Sequence, residues 1–181
     1  MEKIAIRKKI LSQRKKYYLK NLSISSNKFL SFLKKKNLKF KTIGCYYPFN
    51  YEFNILNIIE MLEKKNYTIS LPKISKNGKM DFFHWSLKDP LRINKYGIPE
   101  TISEKKIFPK ILLIPLVGFD NQLNRLGYGG GYYDRYITKV QQNEHLIKIG
   151  IGFSFQKVKN LPINKYDQKL DFIITENNFI E

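Results

Sequence analysis

KILLIPLVGF, Lys110 to Phe119, leads through a short spacer into NRLGYGGGYYDRY, Asn124 to Tyr136. After Lys110 the first segment is continuously apolar, without the alternation of a half-exposed strand, so Lys110 to Val117 predicts a strand covered on both faces. Gly127, Gly129, Gly130 and Gly131 then form a glycine-rich turn, and Gly131 to Val140 predicts a helix. Buried strand, glycine turn and helix together form the building unit of an open α/β sheet, which binds ligands at the carboxyl ends of its strands.

The flanking sequence extends this reading in both directions. Residues 2 to 20 and Ser26 to Lys36 predict two basic helices, free of Gly and Pro. Lys41 to Tyr47 predicts a buried strand broken by Pro48, and Phe53 to Lys64 predicts a helix with Phe53, Leu56, Ile59 and Leu62 at helical spacing. Tyr67 to Leu71 predicts a strand ended by Pro72, and Lys79 to Trp85 another. Residues 86 to 109 carry Pro90, Gly97, Pro99 and Pro109 and predict mostly loop. Leu146 to Phe153 and Leu170 to Thr175 predict the last strands. The expected fold is a three-layer α/β arrangement, a mainly parallel sheet flanked by helices, in a single domain covering residues 1–181.

Composition bounds the function. Of 181 residues, 33 are Lys or Arg and 15 are Asp or Glu, for a net charge of +18. Lys supplies 28 of these cations and Arg only 5, alongside abundant Ile and Asn, so base composition of the genome accounts for part of the excess. At 43% hydrophobic and 14% aromatic residues the chain has the means to build one core and is not disordered. The start lacks a signal-peptide core, and no apolar run approaches a membrane span, so the expectation is a soluble cytoplasmic protein without a membrane partner. A lone Cys45 forbids an internal disulfide, and His84 and His145 are too few for a Cys/His zinc site.

The glycine segment carries the first functional signal. Glycines let the backbone approach a ligand, and amides directed from such a turn toward a helix start form an anion cradle. Arg125 and Arg135 flank it, and guanidinium suits phosphate well. The segment has no Gly-Lys-Ser/Thr ending, and Tyr132 replaces the glycine that would complete a dinucleotide motif. The first helix gives an independent signal. With Lys3 set at zero, Arg14 falls near ~20° and Arg7 near ~40° at about 100° per residue. Ile6, Ile10 and Tyr17 flank this row on one side, and Ile4, Leu11 and Tyr18 on the other. Cations inside an apolar stripe require either a buried carboxylate or a bound anion.

RLGYGGGYYDRY, preceded by IPLVGFD and joined by the Lys3-xxx-Arg7 pair, resembles the 5-formyltetrahydrofolate cyclo-ligases, also called methenyltetrahydrofolate synthetases. YYPFNYEFN, YGIPE, IGIGFSFQ and LDFIITE extend the resemblance over essentially the whole chain. The resemblance implies conversion of 5-formyltetrahydrofolate to 5,10-methenyltetrahydrofolate, with ATP and magnesium, through phosphorylation of the formyl oxygen and ring closure by the neighbouring amine. It implies an ATP site of Lys3, Arg7, Arg125, Leu126, Gly127, Tyr128, Gly129, Gly130, Gly131, Tyr132 and Tyr133, with Arg125 also stabilising the transferring phosphoryl charge. Magnesium falls to Asp134 and Asp171, and folate to Tyr47 and Glu52. Arg14 and Arg135 are further candidates for phosphate, and Tyr132, Tyr133 and Trp85 are aromatic candidates near the substrate. Asp134 also reads as a helix-initiating acid and Asp171 as a strand-end turn residue. Leu116, Thr101 and Tyr166 depart from the pattern, where glycine, proline and histidine are usual. The expected partner is the folate substrate, with a monomeric chain and no nucleic acid. The alternatives are a basic nucleic-acid-binding module using the lysines of residues 3 to 41, and an ATP-dependent ligase acting on another substrate.

Overall fold

The computed structural model describes residues 2–75, 77–142 and 144–181. Eight strands form one sheet in the order β12-β11-β10-β7-β1-β2-β3-β6. They are β1 (Thr42–Gly44), β2 (Thr68–Ile74), β3 (Met80–His84), β6 (Lys106–Ile107), β7 (Ile111–Pro115), β10 (Ile147–Ile151), β11 (Phe172–Ile174) and β12 (Phe179–Ile180). The run β11-β10-β7-β1-β2 is parallel, while β12, β3 and β6 add antiparallel edges. Two small hairpins lie outside it, β4 (Leu91–Ile93) with β5 (Pro99–Thr101), and β8 (Gly118–Phe119) with β9 (Arg125–Leu126).

The helices are α1 (Lys3–Tyr18), α2 (Ser26–Lys35), α3 (Leu56–Lys64) and α4 (Tyr132–Gln141). Strand β7 shows why three layers form. Its Ile111 and Leu113 join the core beneath α2 and α3, whereas Leu112 and Ile114 join the core beneath α4. Alternate residues of a strand point to opposite faces, so a continuously apolar strand is one with helices over both. Among the described residues, no helix is long and apolar enough to cross a membrane.

Several expectations shift at element ends. Strand β1 is shorter than Lys41 to Tyr47, because Tyr46 and Tyr47 leave the sheet after Cys45 donates to the Ser70 carbonyl. Helix α3 begins at Leu56, whose amide is taken by the Asn54 side chain at 2.9 Å. Pro72 does not end β2. It lies past the last β1 pairing, Gly44 with Ser70, so its missing N–H deprives no parallel neighbour. Residues 86 to 109 contain three short strands rather than loop alone. Ile4 is exposed, which narrows the apolar stripe of α1 to Ile6, Ile10 and the residues beside them.

Candidate active site

The order in which strands are added reverses between the parallel neighbours β1 and β7: β2 follows on one side of β1, while β10 and β11 follow on the far side of β7. A cavity of about 1050 Å³ opens at the carboxyl ends of these strands, lined there by Pro115, Tyr46, Tyr47 and Pro72. This is the crevice that an open α/β sheet creates at its switch point.

One wall is the glycine segment. It is not a free turn at its start, because Arg125 and Leu126 form β9 and pair with Phe119 and Gly118. Asp120 ties the intervening bend, accepting from the amides of Gln122 at 2.9 Å and Asn124 at 3.1 Å. Arg125 is thereby fixed facing the cavity. Its Nη2 donates to Asp134 Oδ1 at 2.6 Å, while its buried Nε has no protein partner among the described residues. Arg7 of α1 donates from Nε to the Gly127 carbonyl at 2.8 Å. Its guanidinium also lies against Gly129, whose φ is +107° and where a Cβ would sit 3.6 Å from Arg7 Cζ. Gly131, at φ 64°, starts α4 with no side-chain cap, leaving the first-turn amides free of a side-chain acceptor. Cations, open amides and left-handed glycines together make a pocket that receives anionic oxygens. Arg135 stays at the rim, donating to the Gly130 carbonyl at 2.9 Å and stacking its guanidinium 5.0 Å from the Tyr132 ring.

Another part of the lining is aromatic and contains one buried carboxylate. Residues Phe49 to Glu52 form a tight turn with Asn50 at φ 48° and Tyr51 at φ 59°. It is closed by the Glu52 amide on the Phe49 carbonyl at 3.0 Å, and the Phe49 amide returns a bond to Glu52 Oε2 at 3.1 Å. Glu52 is 6% exposed. Burial pushes its carboxyl up to about 7, against the opposing pull of the Phe49 amide, Arg14 and Tyr128. Tyr47 lines the cavity and meets Trp85 edge-on at 5.9 Å. Trp85 itself is core, with its indole N–H on the Asp89 carbonyl at 3.2 Å. Tyr133 faces the cavity with a buried hydroxyl that has no partner among the described residues. Burial also pushes the Cys45 thiol far up, as befits a small apolar filler.

Lys3, Arg7, Tyr47, Glu52, Asp134 and the whole segment Arg125 to Tyr133 thus line a single cavity. Asp171 does not line it. Its Oδ2 accepts from the Lys148 amide at 2.7 Å, and its Oδ1 lies 3.4 Å from Lys148 Nζ. Asp167 does line the cavity and forms an ion pair with Lys3, a role for which its sequence setting, an Asn-Lys-Tyr-Asp turn, gave no signal. Arg14 is withdrawn from the cavity and almost fully buried, donating to the Tyr128 hydroxyl and to the Leu116 carbonyl at 2.7 Å. Among the described residues, no three His, Cys, Asp or Glu side chains come together as a metal cluster. The departures from pattern are accommodated locally. Leu116 fills the space beside Gly150 and Gly152, Thr101 donates to the His84 carbonyl at 3.0 Å, and Tyr166 stands exposed at the cavity rim.

Comparison with known proteins agrees with this geometry. A model of the 5-formyltetrahydrofolate cyclo-ligase family matches residues 1–176. The chain is 34% identical to a 5-formyltetrahydrofolate cyclo-ligase of Haemophilus influenzae, over 72% of this chain and 73% of that protein. It is 31% identical to one of Mycoplasma pneumoniae, over 97% and 99%. A solved 5,10-methenyltetrahydrofolate synthetase from Mycoplasma pneumoniae superposes with TM-score 0.71 at 30% identity, covering 97% of this chain and 99% of that one. The Aquifex aeolicus synthetase superposes with TM-score 0.76 at 28% identity, covering 99% and 92%. A family match across nearly the whole sequence, on a fold that places the matching motifs around one cavity, means that the chain belongs to the 5-formyltetrahydrofolate cyclo-ligase family.

Proposed function

We propose that this chain closes 5-formyltetrahydrofolate to 5,10-methenyltetrahydrofolate, with ATP as the phosphoryl donor and magnesium as its counter-ion. One observation carries the reading: the glycine segment with its cations and the buried carboxylate with its aromatic neighbours line a single cavity. A formyl amide is a poor electrophile, and transfer of a phosphoryl group to its oxygen makes that oxygen a leaving group. The neighbouring amine nitrogen then attacks the formyl carbon, and inorganic phosphate departs with the former formyl oxygen.

The protein's share of this chemistry is positioning and charge neutralisation. The site fits a polyphosphate, because among the described residues the buried Arg125 Nε and the two Arg7 Nη groups have no acceptor, and the first-turn amides of α4 have no side-chain cap. Arg125 is the residue best placed to neutralise charge on the transferring group, since Asp134 already fixes its orientation. Tyr47 offers a face for the pterin, and an ionised Glu52 accepts hydrogen bonds from its amino-pyrimidinone edge. Magnesium is commonly held by one or two carboxylates, with phosphate oxygens and water completing its shell. Asp134 fits that need through Oδ2, which has no protein partner among the described residues. Its companion is better sought at Asp167, on the cavity wall, than at Asp171, whose oxygens serve Lys148.

Purified protein given 5-formyltetrahydrofolate, ATP and magnesium should generate the near-ultraviolet absorbance of the methenyl product, and omission of ATP should abolish it. Folded protein that forms no product with all three present rejects the proposal. ATP hydrolysis dependent on some other amide or acid would transfer it to a different substrate.

A further inference from the structure

Arg14 sets a problem that the proposed reaction does not use. It is 1% exposed, yet among the described residues no carboxylate lies within ion-pairing distance of it. An uncompensated guanidinium in a protein interior is strongly unfavourable. Its Nη2 is satisfied by the Leu116 carbonyl at 2.7 Å, its Nη1 by the Tyr128 hydroxyl, and its Nε by nothing. The guanidinium carbon also lies 5.3 Å from the centre of the Tyr128 ring. Because that hydroxyl accepts from Arg14, its own proton is available to another acceptor; Glu52 lines the same cavity as Tyr128, and Tyr128 and Arg14 both oppose the upward push of burial on its carboxyl. The groups facing Glu52 are Arg14 from α1, Tyr46 after β1, Tyr128 from the glycine segment and Tyr133 from α4. Arg14 is the one cation among them.

We propose that Arg14 is a positioning residue that acts through the Tyr128 hydroxyl to hold Glu52 as an anion, ready to accept hydrogen bonds from the pterin. The buried cation of α1 and the buried carboxylate of the folate wall neutralise each other across one tyrosine. That tyrosine belongs to the nucleotide segment, so the two halves of the site share a single charge network. The inference rests on the reading of Glu52 as a folate contact.

Binding of 5-formyltetrahydrofolate to the full-length protein, followed calorimetrically from pH 6 to 9 without nucleotide, tests both ideas separately. Wild-type affinity should fall as pH drops through about 7. Arg14→Met should move that midpoint upward by about one pH unit. The variant would then bind about threefold more weakly at pH 7.5 and nearly normally at pH 9. Tyr128→Phe cuts the link at a partly exposed position while keeping the ring, and should shift the midpoint in the same direction. Glu52→Gln should flatten the profile, and Arg14→Met added to it should restore no pH dependence. If both single variants keep the wild-type midpoint, or weaken binding equally at every pH, Arg14 has only a structural role. Wild-type protein that binds no folate at any pH overturns the folate assignment of Glu52, and the network's function with it.

Discussion

Replacing Gly129 with Ala perturbs the proposed nucleotide site with one methyl group. The residue sits at φ +107°, a region that L side chains rarely adopt, and the nearest atoms to an added Cβ belong to the Arg7 guanidinium at 3.6 to 3.8 Å. These are ordinary contact distances, so the cost comes from backbone strain and not from a clash. Holding a non-glycine residue in such a conformation costs about 1–3 kcal/mol. The exposed segment can escape that cost by relaxing, and ATP must then restore the strained form. Each ~1.4 kcal/mol spent in this way weakens binding about tenfold. The expected result is therefore a rise of about tenfold or more in the KM for ATP, with folate affinity nearly unchanged. Gly78 supplies the control, since its φ of +72° is also positive and nothing lies within 4 Å of its Cβ position. Gly78→Ala in the β2–β3 turn should lower the Tm by about 2–4 °C for each kcal/mol of strain and leave the KM for ATP untouched. Should Gly129→Ala retain a KM within twofold of wild type, the segment does not embrace phosphate in this conformation.

The Glu52 carboxyl, raised from an ordinary 4.5 to about 7, contributes stability that is present below pH 4.5 and is lost as pH rises through 7. Between pH 4 and pH 8 the wild type should therefore lose on the order of 3 kcal/mol of stability relative to Glu52→Gln, a difference that thermal melts of both proteins at the two pH values would show. Asp167→Asn should raise the magnesium or ATP requirement several-fold at little cost in Tm, whereas Asp171→Asn should chiefly lower the Tm by loosening Lys148; steady-state kinetics beside melts separate the two. Gly150→Ala would place a Cβ 2.5 Å from Leu170 and 2.9 Å from Leu116, inside the sheet core, and should cost about 1–3 kcal/mol in denaturant unfolding. Hydrogen exchange should slow across α1 when ATP is added, more than across α2, which meets the core but not the cavity.

Much of this arrangement was legible in the residues because burial writes a period into the sequence. The unbroken apolar run at Ile111 to Ile114 could only be a doubly covered strand, and it duly divides its side chains between two cores. The glycine segment was legible because left-handed backbone has few other solutions, and Gly129 and Gly131 adopt it. Asp167 was not legible, because a turn aspartate and a cavity carboxylate are the same letter until the fold brings Lys3 to it from the other end of the chain. Arg14 was legible only as a question. Helical geometry placed it inside the apolar stripe and left open whether a carboxylate or an anion would meet it. The answer depends on Tyr128 and Glu52, which approach it from two further parts of the sequence.

That dependence explains how the first helix can be so basic and still dock. Its apolar contacts are Ile6 and Ile10 against Val117, Leu126 and Leu161, and Tyr17 stacked on Phe155 at 3.9 Å. The cavity adds polar anchors: Lys3 on Asp167, Arg7 on the Gly127 carbonyl, and Arg14 on Tyr128 and the Leu116 carbonyl. Lys8, Lys9, Lys15 and Lys16 are exposed, with Lys15 Nζ 5.8 Å from the centre of the Tyr51 ring. On the reading proposed above, a polyphosphate bound beside Lys3 and Arg7 would strengthen the attachment of the helix as well as fill the site. The excess positive charge of the chain therefore separates by location. On the outer face of α1 it is a solvated surface, and on the inner face it is a row of cations, Lys3, Arg7 and Arg14, each held by an oxygen of another segment.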